Sequence, residues 1–185
     1  MAVNCEKNAD YIKSKIRNIP DFPKKGIMFK DITTLLKDAK ALRFVIEEFM
    51  DYYDEKNIHF DKIVSAESRG FIFGAILAHE LRCGFVPIRK PGKLPGKTVS
   101  HEYELEYGQD KLEIHEDALD FGDSVLIVDD LLATGGTSVA AIKLCEKLGA
   151  KVKGIAFLVE LGYLHGREKL KGYDVFSLVD YDSEE

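Results

Sequence analysis

The residue types best able to do chemistry stand together in SVLIVDDLLATGGTSVAA, residues 124–141. Two adjacent carboxylates, Asp129 and Asp130, follow an aliphatic run, and Ala133, Thr134, Gly135, Gly136 and Thr137 lead into a helical pattern. Adjacent glycines let the backbone turn so tightly that several N–H groups point into one hollow, and a helix N-terminus behind them adds partial positive charge. Together they can hold a phosphate. Paired acids repel a nucleotide's phosphates, but they accept hydrogen bonds from vicinal hydroxyls and reach a divalent cation through water. Acids followed by an anion cradle therefore read as a ribose 5-phosphate holder. The commoner phosphate loops do not fit: Thr137 stands where a P-loop needs lysine, and no G-x-G-x-x-G follows the strand. The bland alternative, a capping Asp130 and an ordinary glycine loop, leaves the order of strand, acid pair, T-G-G-T and helix unexplained.

The elements that must position these groups alternate in type. Val125 to Val128 suits a strand covered on both faces and ending at the acids, and in open α/β sheets ligands bind beyond the carboxyl ends of strands. Val139, Ala140, Ile142, Leu144, Cys145 and Leu148 give the following helix its apolar side. A second junction of the same kind precedes it: a strand over 60–66, then Glu67, Ser68, Arg69 and Gly70, then a helix over 71–81. An arginine at a helix start suits an anion, although an isolated one is as readily a surface charge. Residues 84–88 read as a third strand, followed by RKPGKLPGKTVSHEYELEYG. There Arg89, Lys90, Lys93 and Lys97 gather positive charge among helix-breaking glycines and prolines, as a solvated basic loop or as a mobile lid. Residues 99–107 and 111–115 alternate enough for a hairpin turned by Gly108, Gln109 and Asp110. Strands are expected over 151–160, ending at Leu161, and over 175–179, with a short turn or helix at 166–170.

Nearer the start, 9–16 predicts a short amphipathic helix that Pro20 ends, and 38–53 a longer one. Between them IPDFPKKGIMFKDITTLL packs Ile27, Met28 and Phe29 between lysines and Asp31, as an edge segment or as a cover for a flat ligand.

A length of 185 residues suits one domain, and 31% charged with 45% hydrophobic residues is an ordinary soluble composition. No apolar run approaches the ~20 residues of a membrane span. MAVNCEKNADYIKSK lacks both a signal peptide's apolar centre and a transit peptide's basic, acid-poor character, so cytoplasmic residence is expected. A net charge of −6 argues against a life on nucleic acid or anionic membrane, so an anionic substrate must meet local positive charge. Cys5, Cys83 and Cys145 are far apart and suggest neither a disulfide framework nor a zinc site, with Cys145 facing the core. None of the five histidines stands in a ligand or triad arrangement.

VLIVDDLLATGGT resembles the phosphoribosyl pyrophosphate (PRPP) motif of the type I phosphoribosyltransferases, in the form found in the members that use adenine. The resemblance implies an α/β fold with a mostly parallel sheet flanked by helices, as a single domain over 1–185. A small N-terminal hood would cover 1–36 and the core 37–185, with a flexible lid loop at 90–110. By it Asp129 and Asp130 hold the ribose hydroxyls, and Ala133, Thr134, Gly135, Gly136 and Thr137 the 5-phosphate. FPKKGIMFKDIT is similar to the family's hood, which implies that Phe29 stacks on the purine while backbone groups of Met28 and Lys30 read its edge. Leu161, in V-E-L, would press the opposite purine face. The E-S-R-G-F run resembles the pyrophosphate loop: Arg69, with the backbone of Ser68 and Gly70, takes the pyrophosphate, and Glu67 arranges the loop. R-K-x-G-K-L-P resembles the lid, bringing Lys90 and Lys93 to the same anion and Arg89 into a neighbouring subunit's site. S-x-E-Y-x-L-E-Y-G implies that Glu106, with Tyr107 beside it, is an acid/base partner of the purine; a charged residue on a ribbon is the other reading.

These matches run from Phe22 to Leu161. They imply transfer of the phosphoribosyl group from PRPP to adenine, giving AMP and pyrophosphate, in a homodimer, with Mg2+ bound mainly by PRPP and water rather than directly by the protein. Arg69 and Glu106 would be the catalytic residues. A transferase for xanthine or hypoxanthine, and a non-catalytic PRPP-sensing regulator, are the alternatives.

Overall fold

Val125, Leu126, Ile127 and Val128 are all buried, as an aliphatic run without polar alternation requires. The computed structural model describes residues 2–104 and 109–183. The chain runs α1 (Ala2–Ser14), β1 (Arg17–Ile19), β2 (Phe29–Asp31), α2 (Thr33–Leu36), α3 (Ala39–Glu55), β3 (Lys62–Ala66), α4 (Gly70–Glu80), β4 (Gly84–Ile88). There follow β5 (Thr98–Glu104), β6 (Gln109–His115), β7 (Ser124–Leu132), α5 (Gly136–Lys147), β8 (Lys151–Leu161), the 3-10 turns Gly162–Leu164 and Gly166–Leu170, and β9 (Val175–Tyr181).

Five parallel strands form the central sheet in the order β4-β3-β7-β8-β9. From β3 the chain crosses through α4 outward to β4; from the adjacent β7 it crosses through α5 the other way to β8. Two right-handed crossovers in opposite directions put their helices on opposite faces of the sheet. Phe73 and Leu77 of α4 accordingly join Val45 and Phe49 of α3 in one core layer, with Ile63, Leu126 and Val128. Ala141, Leu144 and Cys145 of α5 join Leu112 and Ile114 of β6 in the other, with Val64, Val125, Ile127 and Phe157. The switch between β3 and β7 leaves a crevice beyond their carboxyl ends, where α/β sheets bind ligands.

Several element bounds differ from the pattern-based expectation. The first helix spans Ala2–Ser14 rather than 9–16, and β1 pairs antiparallel with β2 to make a small ribbon before the core. β7 does not stop at the acids but continues through both to Leu132, because β8 runs beside it and supplies ladder partners: Asp129 lies opposite Phe157 and Leu131 opposite Val159. After an irregular stretch from Pro91 to Lys97, β5 and β6 pair antiparallel as expected, but Gln109 and Asp110 do not turn the hairpin: they belong to β6, because Glu104 and Tyr103 of β5 supply them with ladder partners, and Gly108 lies outside the described residues. Cys145 is fully buried, and burial pushes its thiol up to about 12. Among the described residues no helix is long and apolar enough to cross a membrane.

Packing rather than surface charge holds this frame. A buried ring such as Phe49 contributes about 2–3 kcal/mol, whereas an exposed pair such as Arg43–Glu47 contributes less than about 1 kcal/mol. The start of α3 is held locally: the Asp38 carboxylate accepts from the N–H groups of Lys40 and Ala41, both at 3.1 Å. Lys15, paired with it at 2.7 Å, and the Ala41 N–H hold the Asp38 carboxyl down at about 2. A depressed folded value gives stability that is present above the unfolded value of ~3.9 and lost as pH falls through about 2. The urea midpoint is therefore expected to drop between about pH 4 and 2. Asp38→Asn should flatten that stretch of the profile.

Candidate active site

The carboxyl ends of β3 and β7 meet around one cavity of about 480 Å³. Glu67, Ser68 and Arg69 line it from the β3 side; Asp129, Asp130, Ala133, Thr134, Gly135, Gly136 and Thr137 line it from the β7 side. Leu131 and Ser138, which the motif reading passed over, line it too. Ser138 is a buried hydroxyl on the first turn of α5. A small polar residue directly after T-G-G-T was the available signal.

Two helices begin at this cavity, and neither start is capped by a side chain. Gly135 precedes α5 in the left-handed region at φ 78°, and Arg69 precedes α4. On α4 the Phe71 and Ile72 N–H groups turn back on the Ser68 and Arg69 carbonyls at 3.3 and 3.2 Å, while the first N–H groups of α5 have no side-chain cap of the kind that Asp38 gives α3. Such groups suit an anion. Gly70 lets the start of α4 approach β7 closely: a Cβ there would lie 2.8 Å from Asp129 Oδ1 and 3.0 Å from the Val128 carbonyl oxygen.

Charge is arranged in pairs around this space. Arg69 Nε lies 2.5 Å from Asp130 Oδ2, and its guanidinium carbon sits 5.5 Å from the centre of the Phe29 ring. Asp129 accepts the Asp130 backbone N–H at 2.9 Å. Burial, with the Asp130 charge beside it, pushes the Asp129 carboxyl well above the usual carboxylate range. A raised folded value means that stability is fully present below the unfolded value of ~3.9 and is lost as pH rises through the folded one. Asp129→Asn removes that loss while keeping an acceptor for the Asp130 N–H. At neutral pH the variant is expected to melt higher than the wild type. Its affinity for ribose 5-phosphate should fall about tenfold, because the amide offers one acceptor oxygen where the carboxyl offers two. A melting scan and calorimetry check both.

Phe29 is half-buried on β2, with Phe22 packed edge-on at 5.1 Å. Met28 is half-buried beside it. The Lys30 ammonium donates to Asn18 Oδ1 at 3.1 Å and lies 4.1 Å from the centre of the Tyr181 ring. Leu161 is buried at the end of β8, opposite Tyr181 of β9. The hood strand thus meets the end of β9 through Lys30 on one side and Arg69 through Phe29 on the other.

Arg89, Lys90 and Lys93 are not among the residues lining the cavity. Arg89 is held on Glu67, through Nε at 3.1 Å and a terminal nitrogen at 2.8 Å, and the Lys90 N–H donates to the same carboxylate at 2.5 Å. Burial works against the Glu67 charge, but these donors keep its carboxyl below its ordinary value. The Lys90 ammonium pairs with Asp110 at 3.2 Å, and the Tyr103 hydroxyl donates to that carboxylate at 3.3 Å. Lys93 is exposed, and its carbonyl accepts from Arg89 at 3.3 Å. Glu106 and Tyr107 lie outside the described residues.

The profile of the phosphoribosyl transferase domain matches residues 32–184. The chain belongs to the phosphoribosyl transferase family. A relative named adenine phosphoribosyltransferase, from Clostridium perfringens, is 59% identical over 171 residues, which are 92% of this chain and 98% of that one. The crystal structure of adenine phosphoribosyltransferase from Thermoanaerobacter pseudethanolicus is 58% identical, with a TM-score of 0.90 over 94% of this chain and 99% of that one. The Saccharomyces cerevisiae adenine phosphoribosyltransferase, complexed with an imino-altritol bisphosphate and adenine, is 41% identical with a TM-score of 0.90, over 94% and 99%. This phosphoribosyltransferase chain thus shares its fold with relatives that span nearly its whole length.

Proposed function

We propose that this phosphoribosyltransferase transfers the 5-phosphoribosyl group of PRPP to adenine, giving AMP and pyrophosphate. The observation that carries the reading is the acid pair, the uncapped T-G-G-T helix start and the Arg69 loop around one cavity, with Phe29 beside Arg69. The names of the relatives supply the acceptor base.

The 5-phosphate would sit on the backbone N–H groups of Thr134 to Thr137 and the start of α5. Asp129 and Asp130 would accept the ribose hydroxyls. The pyrophosphate would meet Arg69 and the uncapped start of α4, with Lys90 and Lys93 brought by the lid. Adenine would lie between Phe29 and Leu161, with backbone groups of Met28 and Lys30 reading its edge. Displacement at the anomeric carbon needs no protein nucleophile, because a ring nitrogen of the base attacks. The protein must align the reactants, stabilise the departing pyrophosphate and keep water from an oxocarbenium-like centre. Glu106 would handle the proton of the base, with Tyr107 beside it.

Among the described residues no group of three or more His, Cys, Asp or Glu could hold a metal. Two adjacent carboxylates suit Mg2+ all the same, since it keeps several waters and binds through one or two carboxylates plus substrate phosphates. Magnesium would reach Asp129 and Asp130 as part of PRPP and neutralise pyrophosphate charge. A homodimer belongs to the same reading, with Arg89 reaching the neighbour's site. The exposed Ile72 and Ala75, with half-buried Phe71 and Ile76, leave an apolar side of α4 open for it. Cytoplasmic residence belongs to the same reading, and the free Cys83 and Cys145 support it.

The test is AMP formation from adenine, PRPP and magnesium, run beside hypoxanthine, guanine and xanthine. Selective adenine turnover upholds the reading. PRPP binding without turnover of any base would sink it in favour of a PRPP sensor.

A further inference from the structure

Gly166 and Arg167 belong to no motif, yet they lie directly behind the cradle. A Cβ on Gly166 would fall on the Ala133 carbonyl oxygen, and one on Gly135 would lie 2.7 Å from the Gly166 carbonyl oxygen. The cradle and the turn Gly166–Leu170 are therefore packed backbone on backbone. Neither can shift without moving the other, because no flexible side chain lies between them to absorb the change.

A charge network centred on the buried Glu160 fixes that turn to the end of β8. Arg167 Nε donates to Glu160 Oε1 at 2.9 Å and to Oε2 at 3.1 Å, while a terminal nitrogen also contacts Oε2. The other terminal nitrogen donates to the Val175 carbonyl at 2.8 Å, and the Ser177 hydroxyl bonds both Arg167, at 2.9 Å, and Glu160, at 2.6 Å. Glu160 is only 5% exposed. Burial works against its charge, but Arg167 and Ser177 hold its carboxyl below its ordinary value. Leu170, also buried, pins the far end of the turn in the core. An ion pair with one partner half exposed adds little stability. Its particular property is geometry, since a planar fork bound to acceptors on three residues admits one orientation.

We infer that Gly166 and Arg167 are positioning residues for the 5-phosphate: the Glu160–Arg167–Ser177 network holds the turn that sets the backbone of the cradle from behind. This rests on the reading that the cradle takes the 5-phosphate of PRPP.

The experiment measures ribose 5-phosphate binding by calorimetry, and steady-state kinetics, on the intact wild type, Gly166→Ala and Arg167→Lys. Lysine keeps the charge against Glu160 but cannot also reach Val175 and Ser177. Both variants should bind ribose 5-phosphate about tenfold more weakly and raise KM for PRPP by a similar factor. At saturating PRPP, kcat and KM for adenine should stay within about twofold of wild type. If Gly166→Ala does not fold, Arg167→Lys carries the measurement, because its side chain is half exposed. Wild-type binding in the variants overturns the inference. So does a fall in kcat with KM for PRPP unchanged, which is the mark of general structural damage. A wild type that does not bind ribose 5-phosphate refutes the cradle reading itself, whereas one that binds it but turns over no adenine refutes only the proposed reaction.

Discussion

Asp130→Ala is expected to lower kcat/KM for PRPP about a thousandfold, close to 4 kcal/mol of lost transition-state stabilisation. Two losses combine. The ribose would lose a charged acceptor at a site where Asp130 is only 6% exposed. Arg69, now 2.5 Å from Asp130, would lose the carboxylate that aims it across the cavity. An arginine freed from that pair would swing away from the Phe29 ring and from the pyrophosphate position. Asp130→Asn separates the terms, because it keeps an acceptor while removing the charge. It should recover part of the loss in KM but little in kcat. Steady-state kinetics on both variants, with the melting temperature as a folding control, decide the matter. An Asp130→Ala enzyme within tenfold of wild type would remove this residue from the site.

The second large effect is expected at Gly70→Ala. On an ordinary helix this change would be favourable by up to about 1 kcal/mol, and by less at a first turn. Here the added carbon would stand 2.8 Å from Asp129 Oδ1 and 3.0 Å from the Val128 carbonyl, and the backbone atoms of β7 cannot give way. Overpacking of this kind costs about 1–3 kcal/mol, so the clash outweighs the propensity gain. Melting should fall by roughly 2–8 °C. Activity should fall further, by about a hundredfold, because α4 must move off the strand that carries the acids and takes Arg69 with it. Thermal denaturation and an initial-rate assay test the two halves separately. A variant that melts lower yet keeps full activity would show that the close approach serves packing alone.

Sequence by itself determined the chemistry-bearing groups and their chain order. Val125 to Val128 needs cover on both faces, T-G-G-T opens a helix, and Arg69 and Gly70 stand at a second strand-to-helix junction; each of these is a local pattern. Local patterns placed the helices over 38–53 and 71–81 within a few residues of α3 and α4. They could not give the extent of β7 through Asp129 and Asp130, because the ladder partners that extend it, Phe157 and Val159, come from β8. Nor could they find Gly166 behind Ala133 and Gly135, some thirty residues away, since close backbone packing leaves no periodicity to read. The same holds for Arg89 on Glu67 and Lys90 on Asp110, where a basic run shows its charge but not its partners. Above all, only the tertiary structure decided that the two junctions share one cavity. β3 and β7 are neighbours in the sheet although about sixty residues separate them, and oppositely directed crossovers open the crevice between their ends.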